Sequence, residues 1–191
     1  MSRIRFDEFD IGRVTFDVGE KFMNKYTRYG VKYKYNNDFL GDLRMTTQTA
    51  TSLLECTYIG MDKFGSGHSV TLALDDDKFY TIAAKIADKF KDHINRKKDI
   101  NIPISDDFSK LYCKLIESKT GRIYTEFYTH EEDGDIINTP VEDLKAPLSV
   151  RPIFTMQFIV GPTVNMKVQI AKSYYKKVKH TNDNYDLAFR D

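Results

Sequence analysis

The residues with the most chemistry to offer lie between Lys25 and Asn37, KYTRYGVKYKYNN, where cations alternate with tyrosines and no acid interrupts. From Lys21 to Tyr35 five cations (Lys21, Lys25, Arg28, Lys32 and Lys34) meet no carboxylate. A second acid-free run, KSYYKKVKH, holds Lys172, Lys176, Lys177 and Lys179 around Tyr174 and Tyr175. Interleaved rings and cations suit a polyanion that carries flat rings. Phosphates release counterions to lysine and arginine, and unpaired bases stack on aromatic faces for about 1–3 kcal/mol each. The candidate contacts to such a nucleic-acid strand are Lys25, Tyr26, Arg28, Tyr29, Lys32, Tyr33, Lys34, Tyr35, Arg44, Lys172, Tyr174, Tyr175, Lys176 and Lys177.

A plainer reading stands beside this one. A tyrosine in an alternating strand is more often core than platform, which applies to Tyr33 and Tyr35. Lysines on a strand often only guard an edge against mispairing. Tyr26 and Tyr29 lie outside the clearest alternation and suit platforms better. Net charge does not decide, because 29 basic residues against 28 acidic give +1. Distribution is more informative: the acids gather in HEEDGD (His130 to Asp135) and LDDDK (Leu74 to Lys78), leaving the two basic runs clear. Segregated charge gives the molecule a directed field.

Other chemistries have less support. The carboxylates Asp75, Asp76 and Asp77 could hold metal ions in a nuclease, but they also stand where a helix needs caps and dipole partners. HEED at His130 lies in a loop with no matching second ligand set. GSGHS lacks the spacing and lysine of a phosphate loop. His68, His93, His130 and His180 are scattered, and no nucleophile, base and oxyanion donor assemble, so no catalytic residue, metal ligand or cofactor is assigned. Cys56 and Cys113 sit singly in apolar strand-like runs and read as reduced, packed side chains. No CxxC pair supports zinc.

These groups need elements to position them. At 191 residues, with 41% hydrophobic and 30% charged side chains, the chain suits one domain with a real core. No apolar run approaches the roughly 18 residues of a membrane span, and MSRIRFDEFD lacks the apolar core of a signal peptide, so an intracellular protein without a membrane partner is expected. Period-two alternation predicts strands at VKYKY (31–35), LRMTTQTA (43–50), LLECTYIG (53–60), SVTLAL (69–74), SKLYCKLIE (109–117), IYTEFYT (123–129), RPIFTMQFIV (151–160) and VNMKVQIA (164–171). One long helix, about residues 76–95, is set by Phe79, Ile82, Ala83, Ile86, Phe90 and Ile94 at three- and four-residue steps. The acidic stretch 130–147 reads as a long exposed loop, and 181–191 as a short mobile tail. The fold expected is mainly β: an OB-fold-like antiparallel barrel with extra strands and one long inserted helix, spanning residues 25–180. Residues 1–24 add an N-terminal arm or extra strand. A general antiparallel sandwich with one crossover helix also fits.

From GSGHSVTLALDDDKFYTIAAKIADKF through KLYCKLIESKTGRIYTEFYTHEEDGD to VNMKVQIAKSYYKKV, the order of elements resembles the single-stranded DNA-binding proteins of short-tailed phages and large DNA viruses. Lys110 and Lys114 flank a K-x-K-like strand, THEEDGD stands in that family's acidic turn, and VNMKVQI stands in its barrel-closing strand. The likeness spans roughly residues 65–178. It implies an OB-fold, sequence-independent binding of single-stranded DNA (RNA possible) in viral or phage replication or recombination, possible homo-oligomers and possible replication-protein partners. It also implies a host cytoplasm or viral replication compartment. The ending NDNYDLAFRD departs from the family's long acidic tail, since Arg190 follows Phe189, which puts tail-mediated recruitment in doubt. The alternative is a virion structural or assembly protein contacting genome or neighbouring subunits. Either way, the Lys25–Tyr35 and Lys172–Lys179 segments are expected to meet as one trough.

Overall fold

The computed structural model describes residues 2–47, 49, 51–97 and 99–178. The expected tail at 181–191, with Lys179 and His180, lies outside the described residues. Six strands come first: β1 (Ile4–Arg5), β2 (Val14–Phe16), β3 (Glu20–Phe22), β4 (Tyr26–Lys34), β5 (Leu40–Asp42) and β6 (Met45–Thr46). Then come β7 (Leu54–Met61), β8 (His68–Ala73), helix α1 (Lys78–His93), β9 (Ile100–Asn101), β10 (Lys110–Leu115), β11 (Glu126–His130), β12 (Ile136–Thr139), β13 (Leu148–Val160) and β14 (Val164–Lys177).

Five of these close a barrel in the order β7–β8–β10–β14–β13 and back to β7, with β10 and β14 parallel and the other neighbours antiparallel. The fold is mainly β and OB-fold-like, with extra strands and, among the described residues, a single long helix, as the alternation predicts. The longest pair, β13 and β14, follows its sequence pattern closely. Leu148, Val150, Phe154, Met156, Phe158 and Val160 face Val164, Met166, Val168, Ile170 and Tyr175 inside, and all are buried. Cys56 and Cys113 are free and buried in the same core, and burial pushes the Cys56 thiol up to about 11.

Helix α1 enters between the second and third barrel strands. The Asp76 carboxylate accepts the Lys78 amide at 3.0 Å, satisfying one of the free donors at the helix start. Its apolar stripe then lies on β13, with Phe79 at 5.2 Å from Phe154 and Phe90 stacked on Phe158 at 4.0 Å. Residues before Tyr26 flank this contact, with Phe6 at 5.9 Å from Phe79 and 6.1 Å from Phe154, and Phe16 at 5.0 Å from Phe90 and 5.9 Å from Phe158. They add β1 beside β6, and β2 and β3 beside β4.

The acidic stretch is not one loop. Residues 136–139 form β12, which hairpins onto β11 through Phe127↔Thr139 to His130↔Ile136. Gly134, at φ 90°, makes the turn that the acids decorate.

Candidate nucleic-acid interface

Strand β4 carries the first basic run, and its phase decides what each side chain can do. Val31, Tyr33 and Tyr35 share one phase and are all buried. The Tyr33 hydroxyl accepts the Asp10 amide at 3.3 Å, while Tyr35 donates to the Asp42 carbonyl and accepts the Arg44 amide, both at 2.8 Å. Tyr29 is half-buried edge-on against Phe90 at 5.2 Å. Tyr33 and Tyr35 are core, so their expected role as base platforms is corrected, and Tyr29 has part of its ring taken up by the same packing. Tyr26 is the most exposed ring of the run, lying over Gly161, where a side chain would collide with its ring.

Three of the five cations of this run are paired. Arg28 meets Glu20 at 2.9 Å, Lys32 meets Asp42 at 2.6 Å, and Lys34 meets Asp38 at 2.9 Å. The Asp42 hydrogen bond raises the Lys32 pKa. The stretch lacks acids along the chain, but strand pairing and the following turn supply them from β3, β5 and Asp38. Lys25 remains exposed.

The second run divides in the same way. Tyr175 is buried and shares a 2.6 Å hydrogen bond with the Thr139 hydroxyl, so it too is corrected from platform to core. Tyr174 is half-buried beside Tyr128 and His130, and Lys172 meets Glu126 at 3.3 Å. Lys176 and Lys177 are exposed. The two runs do not meet. Arg28 pairs across from Ile159 on one edge of β13, whereas Lys172 and Lys176 pair across from Ile153 and Ser149 on the other. Those positions are six and ten residues apart, about 20–33 Å along the strand. The single trough is therefore replaced by a different surface.

That surface lies where β10 and β14 part. They pair only at Lys114↔Gln169 and Leu115↔Ile170. Beyond that, β10 takes the segment around Pro103, whose carbonyl accepts the Tyr112 amide at 2.8 Å, and β14 takes β9. The opening is a groove of about 950 Å3 on the outer face of the barrel. Tyr58, Thr71 and Tyr112 stand in register across β7, β8 and β10, and the outward side chains of β8 are the small Ser69, Thr71 and Ala73. Tyr58 and Tyr112 are 44% and 46% exposed, and Phe64 at the rim is 79% exposed. The Tyr58 ring lies along its strand because Gly60 has no side chain: a Cβ there would come 3.2 Å from the hydroxyl, which donates to the Met61 carbonyl.

The groove's rim is tied down by the loop between β7 and β8. The Asp62 carboxylate accepts the Phe64 and Ser66 amides at 2.9 Å each, the Ser66 hydroxyl and the Lys114 ammonium. Lys114 first, and then Ser66, hold Asp62 well below the usual carboxylate range. At the loop's other end, Glu117 accepts the His68 amide at 3.2 Å and contacts the ring Nδ1 at 2.9 Å. A side chain at Gly67 would collide with that carboxylate.

Lys167 lines the same groove, half-buried, and makes no hydrogen bond or ion pair among the described residues. Burial, and then the charges of Lys114 and Arg28, push its pKa down. The charge of Glu117 acts the other way without forming an ion pair, and a sheltered cation left unpaired is costly unless an anion arrives. The sequence reading overlooked this group. Its signal was phase: Tyr112 falls in step with Lys110 and Lys114 rather than with Leu111, Cys113 and Leu115, so the ring must face out. Lys167 likewise keeps step with Asn165 and Gln169.

Among the described residues, no three His, Cys, Asp or Glu side chains converge as a metal ligand set. No helix among them is long and apolar enough to cross a membrane. Compared with known proteins, the chain matches no family model and no curated sequence.

Proposed function

We propose that this protein binds single-stranded nucleic acid, independently of sequence, across the groove between β10 and β14. The replication or recombination role implied by the phage and viral resemblance is part of this reading. The observation that carries it is Lys167, a half-buried ammonium with no ion pair or hydrogen bond among the described residues, beside the exposed ring of Tyr112. A phosphate relieves the first and a base covers the second. Tyr58 and Tyr112 are two strand spacings apart, about 9–10 Å, with only Thr71 between them. Flat rings can enter over that threonine. A duplex, whose bases are already paired and stacked, offers no free face to either tyrosine. The second and third strands of an OB barrel, with the loop between its first two strands, are also where such folds take oligonucleotides. Site chemistry, not the fold, carries the argument.

The test is a fluorescent oligo-dT titrated at two salt concentrations, followed by competition with unlabelled single strand and duplex. Affinity should fall by about 0.7 log units per log unit of salt for each phosphate neutralised. Single strand should compete and duplex should not. A salt-independent response, or no binding at low salt, overturns the proposal, and equal competition by duplex favours the assembly role.

A further inference from the structure

The outer side of the β13–β14 ribbon continues well past the groove. Neither strand, 13 and 14 residues long, contains an acid. From Lys167 the outward positions of β14 run through Gln169 and, after an irregularity between Ile153 and Phe154 of the partner strand, Lys172, Tyr174 and Lys176. Arg151 faces outward opposite Tyr174. The short parallel pair of β1 and β6, with Ile4↔Met45 and Arg5↔Thr46 in register and the Ile4 amide donating to the Arg44 carbonyl at 2.9 Å, brings the backbone at Arg3 next to Arg44. Met45 is in turn opposite Phe154 of β13, so these arginines border the ribbon.

Arg5 is satisfied by Asp7 at 3.4 Å and Glu8 at 2.8 Å. Arg3, Arg44 and Arg151 have no side-chain hydrogen bond or ion pair among the described residues. More telling, the Nε atoms of Arg44 and Arg151 are both shut off from solvent with no acceptor among the described residues. A buried guanidinium donor left unpaired is costly, and in a native fold it asks for an explanation such as an ion not yet bound. Burial, and next the charge of Arg3, lower the Arg151 pKa, so Arg3 and Arg151 feel one another across the surface. Planar guanidinium groups grip phosphate oxygens through paired N–H bonds that a lysine cannot reproduce.

We propose that Arg3, Arg44 and Arg151 form a second phosphate site, which holds the backbone of the same strand after it leaves the groove. The proposal rests on the single-strand reading of that groove. Lys167 pairs across from Gln157, six residues from Arg151, so the two sites are about 20 Å apart along β13. That span suits one strand, because single OB barrels cover ~4–16 nucleotides. It also gives Lys172 and Tyr174, between the two sites and at the second, a place on the path.

Length dependence tests it. The intact chain and its Arg3→Ala, Arg151→Gln and Lys167→Met variants are titrated with oligo-dT of about 5 and about 16 nucleotides, near the ends of that range. The short strand should bind the two arginine variants as well as the wild type. The long strand should bind each of them about tenfold more weakly, with a salt slope lower by about 0.7. Lys167→Met should weaken both lengths. Melting curves show whether Arg151→Gln is folded, and Arg3, being exposed, gives a variant that does not depend on that. Arginine variants that match the wild type at both lengths, while Lys167→Met weakens both, overturn the second site and leave the groove standing. An arginine variant that weakens both lengths equally also overturns it. No binding of either length by the wild type overturns the groove reading itself.

Discussion

Replacing Lys167 with methionine is expected to weaken oligonucleotide binding about tenfold while leaving the fold as stable as before, or slightly more so. The two effects separate because the lysine stem packs in the groove but its charge forms no ion pair among the described residues. Methionine keeps the stem and removes the charge. A lost charge-assisted contact to phosphate is worth roughly 1.5–3 kcal/mol, which sets the tenfold figure as a lower bound. Stability moves the other way. A lysine whose folded pKa is lowered costs stability fully below that pKa, and the cost fades as pH rises through it towards the unfolded value. At neutral pH the methionine variant escapes that cost. Binding has the matching pH signature: bound phosphate favours the ammonium, so affinity is full below the lowered pKa and declines as pH rises through it. Lys167→Arg keeps its charge throughout and should hold its affinity to higher pH. Anisotropy titrations across alkaline pH, with thermal melts of each variant, measure all of this. A methionine variant that loses affinity and stability together would mean that Lys167 is structural.

The largest loss of stability is expected from Phe90→Ala, about 3–5 kcal/mol, which in a chain of this size lowers the melting temperature by on the order of 10 °C. Phe90 is fully buried and lies flat on Phe158, with ring centres 4.0 Å apart and planes 5° from parallel. Phe16 and Tyr29 close its edges at 5.0 and 5.2 Å. One ring thus joins α1 to the barrel strand β13, to β4 and to the N-terminal strand β2. Its removal opens a cavity against three elements that cannot all collapse at once. Urea unfolding monitored by circular dichroism gives the value. A change below about 1 kcal/mol would show that this docking is not what holds the helix.

The helix was legible because a stripe at three- and four-residue steps, Phe79 to Phe90, admits one packing solution. The barrel strands were legible because β13 and β14 alternate almost without fault. Phase alone also marks Tyr33 and Tyr35 as core, since they keep step with Val31. What the sequence could not show is which strands become neighbours. Glu20 and Asp42 neutralise Arg28 and Lys32 through pairings of β3 and β5 with β4, so an acid-free stretch of chain is not an acid-free surface. Long-range register likewise decides that β4 and the end of β14 occupy opposite edges of β13. The groove was hidden for the same reason, because Tyr58, Tyr112 and Lys167 come from three separate strands. Within the acidic stretch, Ile136 and Ile137 were the trace of β12 among its turn residues.

Photocrosslinking of a bromodeoxyuridine oligonucleotide, with the attached peptides identified by mass spectrometry, puts the central claim to its most direct test. Adducts are expected on Tyr58, Phe64 or Tyr112, where rings are exposed beside Lys114 and Lys167. A crosslinked complex with adducts on Tyr26 or Lys25 and none on those three rings would contradict the account.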